Sequence, residues 1–341
     1  MQRITAAVNC KAVEKLRTHP LVEPVTNNTF IIKGGWANGF IFLPDAADNK
    51  CVIIDPGTSE KLEGLYRKRY ISAILGVVEK EGIEIEAILQ VKEERRVFLR
   101  RVVSELNYGH GEGDEIRKIF LERSSELLKL IKECGLDVTM VLATHHHIDH
   151  LGIGHDLANK LGIRCYLPKP DIFETDKLRD LYPIAHISGN YERIDLGTGP
   201  YNIKVWDISG HTNMVSFLLP DGSLIVGDLV CSKGMWDCSV LYMEDVRRHL
   251  TSLHVIGGLL ASYNRILLSH GTKYILAKKE TLELVKINLE RVEAARAIAQ
   301  QIEDNVTAAE TYLGLDNGHV ASIEHLGHAL VTARHIGEYR K

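Results

Sequence analysis

At 341 residues the chain exceeds an average domain without requiring two, because large α/β sandwiches run well past the usual size. Its 45% hydrophobic and 25% charged residues exclude a largely disordered chain and allow a sizeable core. A formal net charge of -4 supplies no general pull toward phosphate backbones, so nucleic acid is not the default partner.

Residues 29–43 hold two β-rich runs around a Gly/Asn turn, and residues 51–54 hold a third before the breaker Asp55-Pro56-Gly57. From Ser59 to Cys134 long charged stretches carry apolar residues at helical spacing, among them Ile119, Phe120, Leu127, Leu128, Leu130 and Ile131. The glycine-rich segment 108–114 breaks this excursion and is expected to be an exposed loop, since it lacks the phosphate-loop spacing. Sheet signal resumes at 138–143, a helix follows at 154–161, and short strands are expected at 165–167, 203–208, 215–219, 224–226 and 266–268. From Lys273 onward the helical period returns and persists, with the best boundary near Glu303-Asp304-Asn305.

The cysteines, Cys10, Cys51, Cys134, Cys165, Cys231 and Cys238, form no CxxC pair and read as thiols of a reducing compartment. The N-terminal stretch lacks the apolar core of a secretory signal, and no run approaches the ~18 apolar residues of a membrane span. A cytoplasmic protein without a membrane partner is therefore expected, in which the NxT triplets at Asn27 and Asn305 have no glycosylation meaning.

The segment Thr144-His145-His146-His147-Ile148-Asp149-His150 places four imidazoles and a carboxylate directly after an apolar strand. Neutral imidazole and carboxylate are the ligands that borderline divalent metals prefer. The same grammar recurs at Asp207-Ile-Ser-Gly-His211, Ile225-Val-Gly-Asp228 and Leu268-Ser-His270-Gly. If these strands are neighbours in one sandwich, their ends form a common rim where single ligands meet. His146 falls out of register with its neighbours and reads as structural, as do His325, His328 and His335 on helix faces.

HxHxDH, then Gly-His, Gly-Asp and Ser-His-Gly, preceded by Ile54-Asp55-Pro-Gly, resembles the metallo-β-lactamase superfamily, especially its glyoxalase II and lactonase-like branches, over roughly residues 29–300. The resemblance implies an αββα sandwich with helices outside two mixed sheets. It assigns His145, His147 and His211 to a first metal, Asp149, His150 and His270 to a second, and Asp228 to a bridge. Asp55 would hydrogen-bond a ligand from behind, although an Asp before Pro-Gly also suits a plain turn. The implied cofactors are two divalent transition-metal ions, zinc foremost, with iron or manganese as alternatives. Such a pair lowers the pKa of a bridging water to give hydroxide near neutral pH and polarises the substrate oxygen. Asp149 and Asp228 are thus the catalytic candidates, with Asp149 placed to shuttle a proton.

The expected reaction is hydrolysis of a small-molecule ester, thioester or lactone. Phosphodiester or RNA cleavage on the same metals is one alternative, and an iron-dependent dioxygenase or di-iron oxygenase is another. A flavin-dependent di-iron reductase is disfavoured, because His147 stands where that branch carries an acidic ligand. Trp236, Asp237 and Tyr242 are candidates for a substrate-pocket wall, with core packing as the alternative.

The chain departs from the family pattern in two places. Thr212-Asn213-Met214-Val215 stands where relatives commonly carry Thr-Pro-Gly. Ninety positions separate Asp55 from His145, where a sheet crossover needs little more than a dozen. Residues 59–134 are therefore expected to be a helical insertion in a domain of residues 1–303, acting as a cap, an oligomer arm or decoration. Its two ends should lie close together, and it should supply no metal ligand, since its one histidine, His110, sits in the glycine-rich loop. Residues 304–341 are expected to form a helical extension, with a faint resemblance to the winged-helix tail of some relatives.

Overall fold

A computed structural model describes residues 11–105, 113–168, 191–193, 197–198, 200–231, 243–270, 275–315, 329, 331–333 and 335–340. One mixed sheet comprises β1 (Val22–Pro24), β2 (Thr29–Ile32), β3 (Gly39–Phe42), β4 (Lys50–Ile54), β5 (Asp137–Leu142), β6 (Arg164–Leu167) and β7 (Tyr191–Arg193), adjacent in that order. It is antiparallel from β1 to β4 and parallel from β4 to β7. The other sheet comprises β8 (Gly197–Thr198), β9 (Lys204–Asp207), β10 (Val215–Leu218), β11 (Ser223–Ile225), β12 (Arg265–Leu267) and β13 (Ile275–Ala277), adjacent in sequence order, with β11 and β12 parallel.

The two-residue period of a strand decides which side chains join which layer. Ile31, Phe40, Phe42, Val52 and Ile54 face Val205, Val215, Phe217, Ile225 and Leu267 across the space between the sheets. Their alternating neighbours Phe30, Ile32, Ile41, Cys51 and Ile53 face the other way. That outer layer is covered by α1 (Lys11–Thr18), α5 (Gly113–Cys134) and α6 (Gly154–Leu161) through Leu16, Leu127, Leu130, Leu157 and Ala158. Beyond the second sheet, Leu253 and Ile256 of α7 (Val246–Gly258) and Val285 of α8 (Lys278–Gln301) pack on Leu218, Leu224, Ile266 and Leu276. Strands apolar on both faces require cover on both, and the αββα sandwich supplies it.

The excursion after Asp55 is helical: α2 (Glu60–Glu81), α3 (Ile85–Gln90) and α4 (Lys92–Glu105) precede α5. Ser59 caps α2 by accepting the Lys61 N–H at 3.3 Å. Its ends, however, do not lie close together. β4 and β5 are parallel neighbours with Lys50 opposite Asp137 and Ile54 opposite Leu142, so the excursion leaves from one end of the sheet and returns at the other. A parallel pair imposes that geometry, and α5 is the crossover helix that satisfies it, lying on the outer sheet face.

The remaining helices α2 to α4 bury Tyr70, Ile74, Val77, Phe98, Leu99 and Val102 against Val292, Ala295 and Ala299 of α8 and Ala308 and Ala309 of α9 (Asn305–Tyr312). A fully buried ion pair pins this second core: Glu310 accepts from Arg95 Nε at 2.6 Å and from Arg96 Nε at 2.7 Å. The excursion and the segment after residue 304, separate in the sequence, thus share one apolar cluster.

Other expectations need adjustment. Within the segment expected to be helical from Lys273, the described residues Ile275–Ala277 pair antiparallel with β12 before α8 starts; three residues are too few for period to separate strand from helix. The buried free thiols are Cys51, Cys134, Cys165 and Cys231, and Cys10 and Cys238 lie outside the described residues. His110, His325 and His328 also lie outside them, as does most of the 108–114 loop, while Gly113 and Asp114 open α5. Among the described residues no helix is long and apolar enough to cross a membrane.

Candidate metal centre

The candidate ligands all follow the C-terminal ends of strands running in the same sense. β5 leads into His145–His150, β9 into His211, β11 into Asp228 and β12 into His270, while β4 ends at Asp55. These ends form one rim of the sandwich, and strand register rather than sequence proximity brings the side chains together. The residue before Asp228 must be small and left-handed: Gly227 has φ +51, and a Cβ there would sit 2.8 Å from Thr144 Oγ1.

Two groups result, His145, His147, His211 and Asp228, and Asp149, His150, Asp228 and His270, each with ligand atoms within 4.8 Å of one another. Asp228 belongs to both. Its Oδ2 lies 3.3 Å from His211 Nε2 and 3.9 Å from His145 Nε2, while its Oδ1 lies 3.0 Å from His150 Nε2 and 3.3 Å from His270 Nε2. His270 Nε2 also lies 3.1 Å from Asp149 Oδ2. His147 turns Nδ1 inward, 2.9 Å from His211 Nε2. His146 is buried beside these residues but belongs to neither group.

Hydrogen bonds behind the ligands set which nitrogens face inward. Asp55 Oδ1 accepts the Thr144 N–H at 2.7 Å, and Oδ2 accepts the Thr144 hydroxyl at 2.7 Å and lies 3.0 Å from His150 Nδ1. A carboxylate only accepts, so His150 donates from Nδ1 to Asp55, which leaves Nε2 as the atom turned toward Asp228. With the Thr144 proton committed to Asp55, the His145 Nδ1 at 3.1 Å from Thr144 Oγ1 must also donate, which frees its Nε2. Asp55, left-handed at φ 47, therefore orients one histidine directly and another through Thr144. Thr144 was not singled out by sequence; a hydroxyl ahead of the histidine run is the only signal it offers.

The electrostatics divide along the same line. Burial holds His145 and His147 well below the usual imidazole range, reinforced by neighbouring histidines. Burial also opposes charge on His150 and His270, but Asp228 and Asp149 overcome it, raising His150 well above its ordinary value and His270 to about 10. For Asp228, burial raises the carboxyl, yet His150 and His270 hold it well below the normal range.

The donor set fits a pair of divalent transition metals. Nε2 of His145 is buried with no hydrogen-bond partner, and Nε2 of His150 and Oδ1 of Asp228 are buried facing only other members of the cluster, an arrangement costly for polar atoms unless they ligate. Five imidazoles and two carboxylates converge with one carboxylate divided between two groups. Asp149 and His270 of the second group keep 13% and 15% of their side chains exposed, and His147 of the first is likewise partly exposed, so solvent reaches both groups. Trp236, Asp237 and Tyr242 lie outside the described residues.

An αββα sandwich with a His/Asp rim at its strand ends is an arrangement suited to binding metal ions. Residues 110–270, which include every candidate ligand, match the model of the Metallo-beta-lactamase superfamily. A hydroxyacylglutathione hydrolase of Erythrobacter litoralis is 31% identical over 136 residues, 39% of this chain and 49% of that protein. A second, from Mesorhizobium japonicum, is 26% identical over 197 residues, 55% of this chain and 69% of that protein. The match thus spans about half the length of the first relative. Among solved structures, a metallo-beta-lactamase from Pontibacter korlensis superposes with a TM-score of 0.45 at 16% identity, covering 78% of this chain and 98% of its own.

Proposed function

We propose that the chain is a hydrolase that uses two divalent transition-metal ions, zinc foremost, to cleave a small-molecule ester, thioester or lactone, with an acyl thioester favoured. The observation that carries this reading is Asp228, whose two oxygens address separate groups of inward-facing ligands. The relatives named hydroxyacylglutathione hydrolase support the thioester, since an acyl group on glutathione is carried through sulfur. When bound, the cations supply Lewis-acid polarisation and an activated water.

The chain's own residues prepare that chemistry. Asp55 and Thr144 fix the histidine tautomers, and Asp228 stays ionised between the groups. Asp149, with Oδ2 beside His270 and its side chain partly open to solvent, accepts a proton and delivers it to the leaving group. The arginines of α4 are engaged within the protein: Arg95 and Arg96 with Glu310, Arg100 with Asp304 and Arg101 with Glu81. They are thereby committed to holding the helices together.

A hydrolysis screen of metal-loaded protein across thioesters, lactones and phosphodiesters tests this. Thioester cleavage is expected, lowered by orders of magnitude in Asp228→Ala with an unchanged circular dichroism spectrum. Preferential phosphodiester cleavage, or near-native turnover by Asp228→Ala, would overturn it.

A further inference from the structure

β12 ends its ladder at Leu267, whose partner in β11 is Ile225 and in β13 Ile275. Leu268 and Ser269, which lead to His270, are buried at 0% and 1% exposure. Their carbonyls have left the sheet pairing and need donors, because a buried backbone oxygen without one is destabilising. A single residue from the opposite sheet supplies them. Asn38, itself 7% exposed, donates Nδ2–H to Leu268 O and to Ser269 O, each at 3.1 Å, and its backbone N–H to Ser269 O at 2.8 Å. Both acceptors of the amide nitrogen are carbonyls, so only the amide orientation with nitrogen toward β12 satisfies them.

Gly39, the next residue, explains how this segment reaches so far. A Cβ at Gly39 would lie 2.7 Å from Asp55 O, so the backbone runs directly against the Asp55 main chain. The start of β3 therefore touches the supports of two ligands of the second group at once, His270 through Asn38 and His150 through Asp55. His147 and His211 of the first group gain no such contact from Asn38.

We propose that Asn38 is a positioning residue for the second metal subsite, fixing the Leu268–Ser269 peptides so that His270 Nε2 stays aimed at Asp149 and Asp228. This rests on the two-metal reading above, but not on the identity of the substrate. Loss of the Asn38 donors frees the peptide immediately before His270 and lets the imidazole turn, while His145 of the first group keeps its support from Thr144. Partners of this kind behind a ligand alter metal affinity by about 10- to 100-fold.

The test is a titration of metal-free full chain with Co(II), resolving two binding steps by visible absorption and chelator competition. Three variants are compared with the unaltered chain. Asn38→Ala removes both side-chain donors, and Asn38→Ser keeps one hydroxyl donor should the alanine variant not fold. Thr29→Val breaks a hydrogen bond of 2.6 Å between the sheets to Asp221, away from the rim, and controls for general loosening. Asn38→Ala, or Asn38→Ser in its place, should weaken only the second step, by about 10- to 100-fold, and alter the second-step spectrum, while Thr29→Val leaves both steps unchanged. Equal weakening of both steps, or two native steps in the Asn38 variants, would overturn the proposal. A single step in the unaltered chain would overturn the two-metal reading and the proposal together, whereas two steps with no hydrolysis would overturn the substrate reading alone.

Discussion

Replacing Asp55 by Asn tests how much of the centre depends on one buried carboxylate. The substitution preserves shape but exchanges an acceptor-only group for one oxygen and one NH2. The contact to the Thr144 N–H survives, because the amide oxygen still accepts it. At the other end the new NH2 faces the Thr144 hydroxyl and His150 Nδ1, where Asp55 Oδ2 now accepts at 2.7 Å and lies at 3.0 Å. His150 escapes the conflict only by moving its proton to Nε2, the atom that faces Asp228 Oδ1 at 3.0 Å and would bind metal. Thr144 escapes by turning its proton toward His145 Nδ1, which pushes His145 to the same wrong tautomer. The expected loss is about 10- to 100-fold in metal affinity, or about 1.4–2.8 kcal/mol, at each step. Zn(II) titration of metal-free protein against a chromophoric chelator reads it, with circular dichroism reporting the fold. A folded Asp55→Asn protein that binds both ions with native affinity would show that Asp55 is only a turn residue.

The helical cluster makes separate predictions. Glu310→Gln leaves the buried Arg95 guanidinium without its countercharge and should cost about 3–5 kcal/mol in urea unfolding; a loss below about 1 kcal/mol would contradict the pairing. Asp304 is held well below the usual carboxyl range by its hydrogen bond to Arg100, against a smaller opposing effect of burial and with help from Thr307. Its folded pKa is depressed, so its contribution is present above the unfolded value near 3.9 and fades as pH falls from there toward the folded value. Asp304→Asn keeps the cap of α9 but loses the charge, so its midpoint should fall below that of the unaltered chain at pH 7, with the gap beginning to close only below about pH 4 and vanishing only as pH nears the depressed folded value. A gap independent of pH would rule the ion pair out as its cause.

The rim was legible in the sequence because each candidate ligand directly follows an apolar strand, a local signal that needs no knowledge of neighbours. β2 to β6 were legible for the same reason. β1, β7 and β8 were not, since VEP, YER and GT offer no apolar run, and β13 was read as the start of a helix because three residues paired with β12 show no period of their own. Asn38 acts on carbonyls 230 and 231 positions away, and Glu310 on Arg95 at a separation of 215, so neither pair leaves a trace in local composition. The excursion read correctly as helical, but the parallel pairing of β4 and β5, which turns α5 into a crossover and separates its ends, is a property of the sheet.

The most direct test of the account is the metal content of the full chain, reconstituted with Zn(II), dialysed and measured by elemental analysis beside Asp228→Ala. If the two ligand groups share the Asp228 carboxylate, the unaltered chain retains about two ions and Asp228→Ala at most about one. Content near zero in the unaltered chain, or about two ions in Asp228→Ala, would contradict a shared two-metal centre.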